Sequence, residues 1–387
     1  MNYERSLEHP LTIACPYFPP EEQARLQREL IDILNNQLSM GPRVEKFEQE
    51  FAAYCGAAQG IAFPNCTASL ETALLALGVE PGDEILVPVE TFIATGMAVH
   101  LVGALSVFTE ISAETFAMDF EDAWLRVTER TRGAIVVHFG GMIPSEFPDF
   151  VKRMHSTGRF VIEDAAHAHG AELNGRRAGS LADAGCFSFY PTKIMTTGEG
   201  GMLVTLREDV AQTARSLQNR GLDVGNKDER YVLPGRNNRF TEIAAAMGLS
   251  QLRCLSDFIE RRRRIASIYE KGLTENELFR PILPGRGSRP SYWRYVVVPM
   301  VPLNRVALKQ ALTSDKIVID WAYDPPLHLQ PVFQRLMGTH PGMLPRSEEL
   351  LSRHICLPVH ALMQDIDAEY VVERLLFHAS RLISGRR

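Results

Sequence analysis

The chain has 387 residues, 45% of them hydrophobic and 23% charged, a balance that excludes disordered, collagen-like and fibrous classes and allows a large buried core. Forty-one Lys and Arg against 47 Asp and Glu give a net charge of -6, which weighs against nucleic acid as a partner and favours a small ligand. The six cysteines (Cys15, Cys55, Cys66, Cys186, Cys254, Cys356) are scattered without a CxxC pair, so neither a disulfide framework nor a metal site is expected.

The N-terminal segment lacks a basic stretch followed by an apolar one, so no secretory leader is expected. The longest apolar stretch, Ile93 to Phe108, contains His100 and is broken by Gly96 and Gly103. It is too short for a membrane span, and a cytoplasmic protein without a membrane partner is expected. After Pro19-Pro20, acids in the first turn and Leu26, Leu30, Ile33 and Leu34 at helical spacing predict an amphipathic helix. A second helix is predicted where Val44, Phe47, Phe51 and Tyr54 share a face, ending at Gly56.

From there short apolar runs at 84–89, 105–111, 133–139 and 159–164 alternate with helix-like stretches at 91–102, 119–128 and 146–156. Such units predict right-handed crossovers and a mostly parallel sheet covered on both faces, with ligands at the carboxyl ends of its strands. Apolar runs at 186–190 and 201–205 bracket a glycine-rich turn, and a long helix is predicted from Thr241. Beyond a Pro/Gly-rich joint lie a strand over 292–299, a helix from Asn304 to Ser314, a strand over 316–321 and a last helix near 366–383. The expected division is a large α/β domain over 1–248 and a smaller α+β domain over 249–387.

The chain carries no GxxxxGKS/T loop, no GxGxxG after the first parallel strand, no HExxH and no GxSxG, so ATP hydrolysis, dinucleotide redox chemistry and serine hydrolysis lose ground. What stands out is the stretch from Ile162 to Gly201. Asp164 falls at the carboxyl end of an apolar strand, where a carboxylate faces a ligand or caps the next turn. Lys193 precedes a flexible turn and is either a solvated charge or, against an apolar wall, an amine able to form a Schiff base. Pro64 to Ala68 leads into a helix whose free amides suit a phosphate, or whose Asn or Thr is a plain cap. A lysine for a carbonyl, an aspartate for a ring nitrogen and a helix end for a phosphate together describe a pyridoxal 5'-phosphate (PLP) site.

The segments EDAAHAHGA, CFSFYPTK, TTGEGGMLVT and GRNNRFTEIAAAMGLSQL, in this order, closely resemble the DegT/DnrJ/StrS family of PLP-dependent sugar aminotransferases. The resemblance runs from SMGPRVEKFEQEFAAYCGA through VPVETFIATGMAVHLVGA to DPPLHLQPVF and SEELLSRHICLPVH. It implies the α/β architecture of fold-type-I PLP-dependent transferases. By the same resemblance Lys193 carries the cofactor, Asp164 pairs with the pyridine nitrogen, and His167 contacts the phenolic oxygen or packs on the ring. Ser188 and the backbone of Thr67 and Ala68 would hold the phosphate, Phe92 would stack on the ring, and Asn237 would reach the phosphate of the neighbouring subunit of a homodimer.

The implied reaction moves an amino group from L-glutamate to a keto-sugar, expected to be a nucleoside-diphosphate-linked 3- or 4-keto-sugar, with pyridoxamine 5'-phosphate between the two halves. Aminotransfer to a free cyclitol, a PLP-dependent dehydratase and a non-catalytic regulator are the alternatives. Lys193 argues against the dehydratase, because relatives of that kind carry histidine there. Two departures from the usual pattern are Cys66, where many relatives have glycine, and GRNNRF in place of GYNYRM, which puts Arg236 and Asn238 at the substrate-facing surface.

Overall fold

The structure is a computed structural model that describes residues 10–223, 225 and 230–384. The chain runs α1 (Pro20–Leu34), α2 (Pro42–Cys55), β1 (Gln59–Phe63), α3 (Cys66–Ala76), β2 (Glu84–Pro88), α4 (Ile93–Leu101), β3 (Leu105–Thr109), α5 (Phe120–Leu125), β4 (Thr131–Val137), α6 (Phe147–His155) and β5 (Phe160–Asp164). Two short strands, β6 (Glu172–Leu173) and β7 (Arg176–Arg177), precede β8 (Ala184–Ser188), β9 (Gly201–Thr205), α7 (Glu208–Gln218) and the long α8 (Glu242–Leu273). The remainder is β10 (Phe279–Pro281), β11 (Ser288–Arg289), β12 (Tyr295–Pro299), α9 (Arg305–Ser314), α10 (Pro331–Met337), α11 (Pro345–Arg353), β13 (Ile355–Leu357) and α12 (Asp365–Ser384).

Seven strands form the central sheet in the order β1-β9-β8-β5-β4-β2-β3. The pairs among β3, β2, β4, β5 and β8 are parallel, and β9 alone runs against its neighbours β8 and β1. The near-continuous burial of β2, β4, β5, β8 and β9 is what a sheet with helices on both faces requires. The parallel strands end on one edge, and α3 starts on that edge directly after β1. A three-stranded antiparallel sheet, β10-β12-β13, organises the C-terminal part.

One hydrophobic cluster surrounds the large sheet, and a second lies between β12, β13, α9, α12 and the end of α8. Helix α8 serves both, with Leu255 and Ile259 in the first and Ile265 and Tyr269 in the second. Its approach to α2 depends on Gly248, where a Cβ would lie 2.6 Å from the Phe47 ring. Helix α2 forms as its spacing predicts, with Val44, Phe47 and Phe51 buried and Gly56 closing it at φ 77°.

The strand expected over 316–321 is not a sheet strand. Ile317 pairs with Leu11 and Asp320 with Cys356 as isolated bridges, so the buried Ile317 and Ile319 anchor an extended segment without a continuous ladder. The helix expected over 119–128 is shorter, ending at Leu125. Helices α7, α10 and α11 have no counterpart in the sequence reading. Among the described residues no helix is long and apolar enough to cross a membrane, and no cluster of three metal-ligating side chains occurs.

Candidate active site

At the carboxyl edge of the sheet a cavity of about 520 Å³ is lined by Thr67, Phe92, Asp164, His167, Ser188 and Lys193 among others. Ala68 sits beside Thr67 in the first turn of α3, and Asn237 is exposed and does not line this cavity. A second groove of about 460 Å³ at the start of α5, lined by Glu114, Asp119, Glu121, Glu146 and Glu349 among others, contains none of these residues.

Asp164 is the last residue of β5, and its buried carboxylate is held at both oxygens. Oδ2 accepts from the Thr95 hydroxyl at 2.7 Å, and Oδ1 accepts from the Ala166 amide at 3.2 Å. Thr95 Oγ1 also lies 2.6 Å from Thr91 Oγ1, so α4 braces the acid through a hydroxyl pair. Burial pushes the Asp164 carboxyl above its ordinary range, against the two hydrogen bonds and the charges of Lys193 and His138. A buried carboxylate facing a cavity is stabilised by a cationic ligand group placed against it.

Behind it, Glu163 points away from the cavity and accepts from the amides of Gly179, Leu181 and Ala182 at 2.8, 2.7 and 3.1 Å, with His138 Nε2 at 2.8 Å. Neighbouring acids on one strand thus differ in role: Glu163 ties down the loop after β7, and Asp164 faces the ligand space. That split follows from the alternation of side chains along a strand.

Lys193 stands on the loop between β8 and β9. The loop is fastened by Thr196 Oγ1 and the Thr197 amide donating to the Phe189 carbonyl at 2.8 and 3.0 Å, and by the buried Ile194 and Met195. Its Nζ lies 4.6 Å from the centre of the Trp293 ring. Burial first, and Arg294 in addition, push the amine down to about 8, while Asp164 and Cys66 act in the opposite sense.

Ser188 ends β8 and pairs across the sheet with Gly201, which in turn pairs with Phe63. Gly201 permits the close approach of β9 to the start of α3: a Cβ there would lie 2.4 Å from the Asn65 carbonyl carbon and 2.7 Å from the Cys66 nitrogen. Asn65 caps α3 by accepting from the Ala68 amide at 2.9 Å, so that amide is engaged while those of Cys66 and Thr67 open the helix without intrahelical partners. Phe92, 58% exposed, projects at the mouth with its ring centre 6.4 Å from that of Tyr323.

His167 is buried and lies parallel to Trp293, ring centres 3.6 Å apart, with Nε2 2.9 Å from the Tyr323 hydroxyl. Burial, aided by Lys193 and Arg294, holds its imidazole well below the usual range, so the ring is neutral. Thr95, Trp293, Arg294, Asp320 and Tyr323 were not singled out by the sequence. Trp293 and Arg294 sit just before an apolar strand and read there as part of it. Tyr323 has φ 64°, a left-handed turn that orients its ring and that no local glycine or asparagine announces.

The residues present fit PLP. A buried acid at a strand end, an amine lowered toward neutrality and the N-terminus of α3, held close to β9 by Gly201, meet at one cavity of suitable size. Fold and site together define a PLP-dependent aminotransferase. The sequence profile of the DegT/DnrJ/EryC1/StrS aminotransferase family matches residues 20–376, and the chain belongs to that family.

The chain is 35% identical over 348 residues to the GDP-perosamine synthase of Caulobacter vibrioides, covering 87% of this chain and 90% of that one. It is 34% identical over 322 residues to a UDP-N-acetyl-3-dehydro-alpha-D-glucosamine 3-aminotransferase of Acidithiobacillus ferrooxidans, covering 83% and 84%. The PLP-form structure of the putative sugar aminotransferase Spr1654 from Streptococcus pneumoniae superposes with a TM-score of 0.86 at 25% identity, covering 97% of this chain and 100% of that one.

Proposed function

We propose that this aminotransferase moves an amino group from L-glutamate to the keto group of a nucleoside-diphosphate-linked sugar, at a site completed by the second subunit of a homodimer. The observation that carries the reading is the meeting of Lys193, Asp164, His167 and the start of α3 around one cavity, in a chain whose similar proteins include one named for a GDP-linked and one for a UDP-linked amino sugar.

When bound, PLP supplies an aldehyde that accepts an amine and a ring that withdraws electrons from the adjacent carbon. Lys193 would hold the cofactor through Nζ, and the same amine would take up and return the proton at the reacting carbon. At about 8 its amine is neutral in roughly one molecule in ten at pH 7, about 300 times the fraction of an ordinary lysine. Asp164 keeps the facing ring nitrogen protonated, which a neutral acceptor there would not do. Neutral His167, directed by Tyr323 and Trp293, would meet the cofactor's phenolic oxygen or pack on its ring. Ser188 and the Thr67 backbone would hold the phosphate, the Ala68 amide expected there being engaged by Asn65 instead, and Phe92 would cover the ring face.

Asn237 lies outside the cavity of its own chain, in keeping with a role across a subunit interface. The test is a panel of GDP-, UDP- and dTDP-linked 3- and 4-keto-sugars with L-glutamate, scored by mass spectrometry for the amino-sugar. Amination of free cyclitols alone, or dehydrated product without glutamate consumption, overturns the reading.

A further inference from the structure

Arg294 is a cation that neither the cofactor site nor the fold accounts for. It is 6% exposed yet lines the cavity. Its Nε has no hydrogen-bond partner, Nη1 reaches only the Trp293 carbonyl at 3.2 Å, and Nη2 meets Asp320 Oδ2 at a long 3.5 Å. Asp320 keeps its other oxygen, Oδ1, buried and unpaired. A closed structural ion pair satisfies both partners at shorter range, and leaving a buried guanidinium half-satisfied is costly unless a ligand completes it.

The guanidinium carbon lies 3.9 Å from the centre of the Trp293 ring, the same ring that His167 stacks on at 3.6 Å. Stacking on the indole restrains the plane of the guanidinium, whose Nε, left without a partner, and neighbouring Nη have the geometry that matches a carboxylate. Lys193 Nζ is 4.6 Å from the same ring centre, so the fork stands beside the amine at which reaction occurs. A group bound at this fork would sit close to the reacting carbon, where a carboxylate next to that carbon fits better than a diphosphate on the far side of a sugar.

We propose that Arg294 is a substrate-carboxylate site, taking either the carboxylate next to the amino group of the donor or that of an acidic sugar. The proposal rests on this cavity being the place of reaction. On binding, the carboxylate replaces the loose contact to Asp320 with two parallel N–H donations.

Calorimetric titration of the PLP-loaded protein with succinate and with glucuronate tests this without turnover, so a failure to use glutamate as donor leaves the result standing. The expected outcome is binding of at least one probe, weakened about tenfold or more in Arg294→Met, with PLP content and melting temperature unchanged. Loss confined to succinate assigns the donor, and loss confined to glucuronate assigns the sugar. Arg294→Lys, which keeps the charge and loses the fork, is expected to weaken binding about threefold or more and decides the matter if Arg294→Met fails to fold. No binding of either probe to the unaltered protein, or equal binding by the variant that folds, overturns the proposal.

Discussion

Thr95→Val isolates the link between α4 and the cofactor site. The substitution keeps the shape of the side chain but removes the hydroxyl that donates to Asp164 Oδ2 at 2.7 Å, and it strips Thr91 of its partner at 2.6 Å. A hydrogen bond to a buried ionised group is worth about 1.5–3 kcal/mol, which corresponds to a rise of roughly one to two pKa units in Asp164. The direction is set: burial already holds this carboxyl high, and Thr95 is the largest influence opposing it. PLP affinity, measured by equilibrium dialysis from about pH 5 to pH 8, should fall about 10- to 150-fold at its acid end, with the midpoint of that acid limb moving to higher pH. Thr95→Ser should restore both. Unchanged affinity and midpoint in a Thr95→Val protein of normal melting temperature would refute the reasoning.

Gly201→Ala places a Cβ 2.4 Å from the Asn65 carbonyl carbon, which is backbone and cannot turn aside. It should lower stability by about 1–3 kcal/mol and weaken PLP binding, read by thermal melts and dialysis; normal values for both would contradict the close approach. Glu163→Gln sets an amide against the Gly179, Leu181 and Ala182 donors, and urea unfolding should report a loss of about 2–4 kcal/mol. The rate at which the cofactor-free protein captures PLP should rise about tenfold per pH unit up to about pH 8 and then level, because only neutral Lys193 attacks and its amine sits at about 8. A rate still climbing at about pH 10 would mean an ordinary lysine.

Much of this architecture is legible in the chain because period and burial agree. The apolar runs at 84–89, 133–139 and 159–164 become parallel strands ending at Pro88, Val137 and Asp164, and the helix closed by Gly56 buries its Val44, Phe47 and Phe51 stripe. The segment at 316–321 misleads because alternating Ile317 and Ile319 satisfy the pattern of a strand while pairing only through isolated bridges. In the cavity, a strand-end acid, a lysine before glycines and a helix start, each announced by local chemistry, come together. Thr95, Trp293, Arg294 and Tyr323 were not, since each acts through a contact made across the fold. Thr95 meets an acid 69 residues away, and Tyr323 meets a histidine 156 residues away. No window along the sequence contains either pair.

The most direct measurement is single-turnover reaction of the PLP-loaded protein with L-glutamate in the absence of any sugar, quantifying 2-oxoglutarate by mass spectrometry. A ping-pong aminotransferase should release about one equivalent per protomer and stop, resume on addition of a nucleotide-linked keto-sugar, and release none when Lys193→Ala is used. No 2-oxoglutarate from the unaltered protein, or undiminished turnover without Lys193, would contradict the assignment of this cavity.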